Sequence, residues 1–301
     1  MEALLVGTQN RFASTDDVVD QLRKAAYIAD LQVATAVYLA DRLGKPLLIE
    51  GPAGVGKTEL AKAVAASTGH TLVRLQCYEG LDEAKALYEW NYRKQLLRIQ
   101  ADEAHEHHWE EIEESIFDEP FLLERPLLKA IRSPDPVLLL IDEIDRTEFE
   151  FEAFLLEVLS DFQVSIPELG TIVANQIPMV FLTSNATREL SEALKRRCLY
   201  LYLDYPDAER EKEIILTRVP ELPNTLADQM VRLLRAIREL ELKKKPSISE
   251  SIDWARTLVE FGIDSLDDVT TKDTLNVVLK YRQDLERVAQ QLKLPPSPHH
   301  N

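Results

Sequence analysis

The stretch LLIEGPAGVGKTELAKAVA, residues 47–65, constrains the fold more than any other part of the chain. An apolar run of strand length meets a glycine-rich turn and then an alanine-rich amphipathic stretch. The turn, Gly51-Pro52-Ala53-Gly54-Val55-Gly56-Lys57-Thr58, fits G-x-x-x-x-G-K-[ST] and lies between a strand and a helix, as that motif requires. Glycines let backbone N–H groups converge on phosphate oxygens where a Cβ would block the approach. The following helix offers its positive end to the same anion. Lys57 is then placed to reach the β- and γ-phosphates of a nucleotide, and the Thr58 hydroxyl to ligate Mg²⁺.

Further apolar, strand-like runs occur at 71–77, 136–142, 178–185 and 198–205. Helical patterns at 57–67, 148–161 and 189–196 alternate with them. Continuous apolar strands separated by helices predict a parallel sheet covered on both faces, the α/β class of phosphate-loop folds. Residues 15–43 read as one helix, with Thr15 or Asp16 as N-cap and Gly44 as its end. Residues 162–177 read as a hairpin before the next strand. Beyond Tyr205-Pro206 only helical periodicity survives, at 207–219, 226–240, 249–262 and 272–292. The expected organisation is a nucleotide-binding core over 1–205, with an insertion at about 80–135, and a helical domain over 206–301.

The run LLLIDEIDR places two carboxylates at the end of an apolar strand. Downstream of a phosphate loop, Asp142 would complete the Mg²⁺ shell with Thr58, and Glu143 would be the general base that polarises the attacking water. Asn185, at the end of VFLTSN, either orients that water, or touches the γ-phosphate, or caps the helix that follows. Arg196 and Arg197 close a short helix before the last strand. They either neutralise its negative end or supply a fork of donors to a neighbouring subunit's nucleotide.

The net charge of −17 argues against binding nucleic acid over a broad face. No apolar run is long enough to span a bilayer, and the first residues carry no export-type pattern. Cys77 and Cys198 stand in no metal or redox spacing, so the expectation is a cytoplasmic protein with reduced, structural thiols.

In this order, the phosphate loop, the acidic pair, the sensor-like Asn185, the arginine pair and a helical lid resemble an AAA+ ATPase. More closely, Asp142-Glu143-Ile144-Asp145-Arg146, the insertion before that strand and the hairpin before the sensor strand resemble the MoxR branch. RLQCYEGLDEAKALYEWNYRKQLL is similar to MoxR-type ATPases encoded beside carbon monoxide dehydrogenase genes. The resemblance covers residues 20–290. It implies a ring, commonly a hexamer, with ATP at each subunit boundary. It also implies a partner carrying a von Willebrand factor A domain, and chaperone-like remodelling of a client oxidoreductase that receives a metal centre. One departure stands out: lids of that branch carry an S-P-R arginine, whereas Ser249 occupies the matching place, with Lys245 or Arg256 as substitutes. Two other readings share the core: a nucleic-acid-coupled or restriction-type NTPase subunit, and a scaffold whose assembly depends on nucleotide.

Weaker signals have plainer readings. His105, His107 and His108 sit among glutamates and read as a solvated helix rather than a metal site. Trp90 and Tyr92 either pack the insertion or face a client. Lys243-Lys244-Lys245 reads as the C-terminus of a helix.

Overall fold

A computed structural model describes residues 11–102 and 116–294. Helices α1 (Thr15–Lys24) and α2 (Leu31–Leu43) lead into β1 (Leu47–Glu50), α3 (Lys57–Thr68) and β2 (Thr71–Gln76). The next elements are α4 (Glu83–Ala86), β3 (Tyr88–Trp90), α5 (Tyr92–Asp102), β4 (Leu122–Glu124) and α6 (Pro126–Arg132). After them come β5 (Val137–Asp142), α7 (Phe149–Asp161), β6 (Gln163–Ile166), β7 (Gly170–Val173) and β8 (Met179–Ser184). Then follow α8 (Glu192–Arg197) and β9 (Leu199–Tyr202). The rest of the described chain is helical: α9 (Ala208–Arg218), α10 (Asn224–Arg238), α11 (Ile248–Glu260), α12 (Asp268–Thr274) and α13 (Arg282–Gln291).

Five strands form one parallel sheet in the order β2-β5-β8-β1-β9. Strand side chains alternate between its faces, because successive Cβ atoms point to opposite sides. Val137, Leu139, Ile141, Val180 and Leu182 meet α6 and α7 on one face. Leu138, Leu140, Met179 and Phe181 meet α1, α2 and α3 on the other. A separate apolar cluster, from Ile215 to Val288 and centred on the fully buried Trp254, fills the C-terminal helices. The hairpin expected at 162–177 is present as antiparallel β6 and β7.

Four local expectations are corrected. The run 15–43 is two helices, because Ala26 adopts φ 57° and the Asp30 carboxylate accepts the Val33 amide to start α2 afresh. The N-cap of α1 is Ser14, whose hydroxyl accepts the Asp17 amide, rather than Thr15 or Asp16. The run 272–292 breaks at the extended Tyr281, ahead of α13. The three lysines lie beyond the end of α10, and the amides of Lys243 and Lys244 donate to the Asp284 carboxylate, so they terminate no helix.

The 80–135 segment holds an antiparallel pair, β3 with β4, that its sequence did not announce. Its last helix, α6, buries Leu127, Leu128, Ala130 and Ile131 in the same core as β2 and β5, so this part belongs to the sheet's own cover. Trp90 is buried edge-on against Tyr88 and Phe117, while Tyr92 is exposed. His105, His107 and His108 lie outside the described residues. Both cysteines are free, and burial pushes each thiol up to about 12, which keeps them inert. Among the described residues no helix is long and apolar enough to cross a membrane.

Candidate functional site

The C-terminal ends of the parallel strands converge on the loop at 51–58, the place where open α/β sheets bind ligands. Gly51 has φ 151°, and a Cβ there would sit 1.9 Å from the Leu203 carbonyl oxygen, so only glycine lets the loop leave β1 beside β9. Gly54, at φ 77°, lies against the start of α11: a Cβ would come within 2.3 Å of the Ser247 Cβ, and the Ile248 amide donates to the Gly54 carbonyl. Helix α3 begins after Gly56 with no side-chain cap, so its first amides are open to an anion.

Lys57 is buried, and its Nζ donates to the carbonyls of Gly51 (2.7 Å) and Pro52 (2.8 Å) and to Asn185 Oδ1 (2.8 Å). Burial pushes its ammonium below the ordinary lysine range, against the upward pull of the Asp145, Asp142 and Glu143 carboxylates. Thr58 Oγ1 donates to Asp142 at 3.1 Å. Asn185 Nδ2 donates to Glu143 Oε1 at 3.3 Å. The structure therefore links Lys57, Asn185 and Glu143 in one hydrogen-bonded set and Thr58 with Asp142 in a second, and Thr183 joins the two. Asn185 is not a helix cap, since Ser191 caps α8.

Sequence reasoning missed the residues that hold this group. Thr183 Oγ1 donates to Asp142 Oδ1 at 2.5 Å and accepts the Glu143 amide at 2.9 Å. That contact fixes Glu143 in the left-handed region, at φ 58°, a costly conformation for a side chain with a Cβ. Arg74, on the edge strand β2, donates to Asp142 Oδ2 through Nε (2.9 Å) and Nη2 (2.5 Å). Gln76 Nε2 donates to Glu143 Oε2 at 3.1 Å, and Arg146 Nε pairs with the same oxygen at 2.9 Å. The alternation of TLVRLQ was the available signal: Val73 and Leu75 are buried, while Arg74 and Gln76 share the opposite face. Burial alone would raise the Asp145 carboxyl, but the Thr187 hydroxyl and amide outweigh it and hold the group below the usual carboxylate range.

The donor set suits the groups that the motif implies. A threonine hydroxyl and a carboxylate already in contact are the hard oxygen ligands that Mg²⁺ prefers. Beside the loop, a cavity of about 560 Å³ is lined by Tyr27, Ile28, Gly54, Tyr205, Arg210 and Arg256, within the range of small-molecule pockets. It also takes in Ser249, whereas Lys245 lies in a separate cleft beside Pro52 and Ala53.

Arg196 and Arg197 sit elsewhere. Leu199, two residues on, pairs with Leu47 at the N-terminal ends of β9 and β1, so about 13 Å of strand separates that edge from the phosphate loop. Both are exposed, and Arg197 Nη1 donates to the Leu156 carbonyl at 3.1 Å. Within one chain the arginine pair is not brought to the other candidate residues.

Residues 47–203 match the model of the ATPase family associated with various cellular activities (AAA). An uncharacterised protein of Staphylococcus haemolyticus is 26% identical over 227 residues, covering 73% of this chain and 78% of its own. The gas vesicle ATPase GvpN of Haloferax mediterranei is 27% identical over 206 residues, 65% of this chain and 57% of GvpN. A solved RuvB mutant of Thermotoga maritima superposes with a TM-score of 0.50 at 16% identity, over 94% of this chain and 85% of that one, a likeness of fold.

Proposed function

This chain belongs to the AAA ATPase family and hydrolyses ATP with Mg²⁺, and from that premise we propose a MoxR-like ring that remodels another protein. One observation carries the reading: the phosphate loop, the acidic pair and Asn185 interlock at one sheet edge, while the arginine pair stands exposed at the opposite edge. Lys57, with the backbone N–H groups of the loop after Pro52, would grip the triphosphate, and Thr58 with Asp142 would hold the metal. Bound there, Mg²⁺ would supply neutralisation of the phosphate charge. Glu143 would take the proton of the attacking water, and Asn185, which already touches Glu143 and Lys57, would hold that carboxylate and the ammonium in register.

The reading treats residues 206–301 as a helical lid, whose Arg256 is the better-placed substitute for the missing lid arginine. Members of the family typically form rings, and head-to-tail contacts that close generate them. In such a ring, commonly a hexamer, Arg197, with Arg196 beside it, would reach the nucleotide of the next copy. The kinship with gas vesicle ATPases supports service to another assembly. The proposed partners are a protein with a von Willebrand factor A domain and a client oxidoreductase awaiting its metal centre, in the cytoplasm.

Two measurements test this. Native mass spectrometry of the Glu143→Gln chain with Mg·ATP should show a closed ring, and a monomer would discard the shared site. Tagged Glu143→Gln chain recovered from its own cells should carry the two partners. Recovery of nucleic acid instead, with stimulated turnover, would favour the motor reading.

A further inference from the structure

Asp142 has more claimants than a simple metal ligand needs. Its carboxylate is buried, and its Oδ1 receives the hydroxyls of Thr183 (2.5 Å) and Thr58 (3.1 Å). Its Oδ2 receives both Nε and Nη2 of Arg74, at 2.9 and 2.5 Å. Arg74 is half-exposed on the edge strand β2, in register with Leu140 of β5, and its other hydrogen-bond partner among the described residues is the Gln76 carboxamide. That carboxamide in turn donates to Glu143. One guanidinium thus neutralises the buried carboxylate and reaches the neighbouring acid through a single intermediate side chain. A buried carboxylate without a counter-charge is expensive, so some cation has to stand there whenever the divalent ion is absent.

We infer that Arg74 is a built-in counter-cation of Asp142, one that holds the carboxylate when no metal is bound and competes with the metal for Oδ2. The inference rests on the reading of Asp142 as a metal ligand and adds a residue that tunes that site. Two positive groups cannot share one carboxylate oxygen without repulsion, so the metal binds only as Arg74 gives way. Because Arg74 is half-exposed, its departure into water is inexpensive, which suits an exchangeable partner. The same departure frees the Gln76 carbonyl oxygen, so metal loading is felt at Glu143.

The test measures metal affinity directly. Mn²⁺, read by electron paramagnetic resonance, is titrated into the full chain with ADP, for wild type, Arg74→Met, Arg74→Lys and Asp142→Asn. Arg74→Met should bind Mn²⁺ about tenfold more tightly, because the competing charge is gone. Its metal-free melting point should fall and recover on adding Mn²⁺, and Arg74→Lys should stay near wild type. A merely structural arginine would give the opposite sign, so unchanged or weaker binding by a folded Arg74→Met chain overturns the inference. Asp142→Asn reports on the underlying reading: if it binds Mn²⁺ like wild type, the carboxylate is not a ligand and the inference falls with it.

Discussion

The two ends of the sheet are built on opposite plans. At the C-terminal end every acidic or basic candidate is tied to another: Lys57 to Asn185, Asn185 to Glu143, Thr58 to Asp142. At the N-terminal end Arg196 and Arg197 are exposed, and Arg197 donates to a backbone carbonyl, that of Leu156. A rigid pocket suits groups that must meet one phosphate in a fixed geometry, whereas an exposed, always-charged fork suits a surface awaiting something outside the chain. The contrast teaches that one copy gathers the loop, the acidic pair and Asn185 by itself but leaves its arginine pair outside that group, as the proposed ring would need.

The contrast breaks most visibly in turnover. Glu143→Gln should bind nucleotide but lose up to about 10⁴-fold in turnover, measured as phosphate release. Full activity would remove Glu143 from its role. Arg197→Ala should lose about 10³-fold while each chain keeps its nucleotide affinity. Mixing it with Lys57→Ala, itself inactive, should restore a fraction of the turnover, because some boundaries then pair an intact loop with an intact arginine. No restoration at any mixing ratio would return the arginine pair to a helix-end role.

Smaller effects sharpen the pocket side. Thr183→Val is nearly isosteric but leaves the Glu143 amide without its partner and strips Asp142 Oδ1 of its shorter hydrogen bond, with Thr58 still donating there. It should cost about 1–3 kcal/mol in denaturant unfolding and weaken turnover. The smallest effect concerns acid. Asp145 is held below the ordinary carboxylate value of 3.8, so it contributes stability that is fully present above that value and is lost as pH falls through its lowered one. Melting points from pH 5 down to pH 3 should therefore decline, and Thr187→Val should flatten that decline. Arg197 makes no contact with Asp145 or Thr187, so Arg197→Ala should leave the slope unchanged.

The legible part of the molecule was whatever a local rule controls. GPAGVGKT announced its own turn, and the apolar runs their strands, because loop geometry and strand burial are written in consecutive residues. Gly44 ended α2 as expected, in the left-handed conformation. What stayed hidden depended on distance. Arg74 and Asp142 are 68 positions apart, and only the β2–β5 register makes them neighbours. Likewise no glycine or proline stands near residue 26 to mark the end of α1, where Ala26 turns to φ 57°, and the one local signal was Asp30, the N-cap of α2. The β3–β4 pair was missed because three-residue strands carry too little periodicity to read.

The contact between Gly54 and Ser247 leaves no clearance between the phosphate loop and the first turn of α11. A mechanism without backlash transmits small displacements. Any swelling of the loop around a triphosphate must push the helical bundle, and any load on that bundle must squeeze the loop. Force applied at the far helices would therefore be felt as a change in how firmly the nucleotide is held, with no separate sensor needed between them.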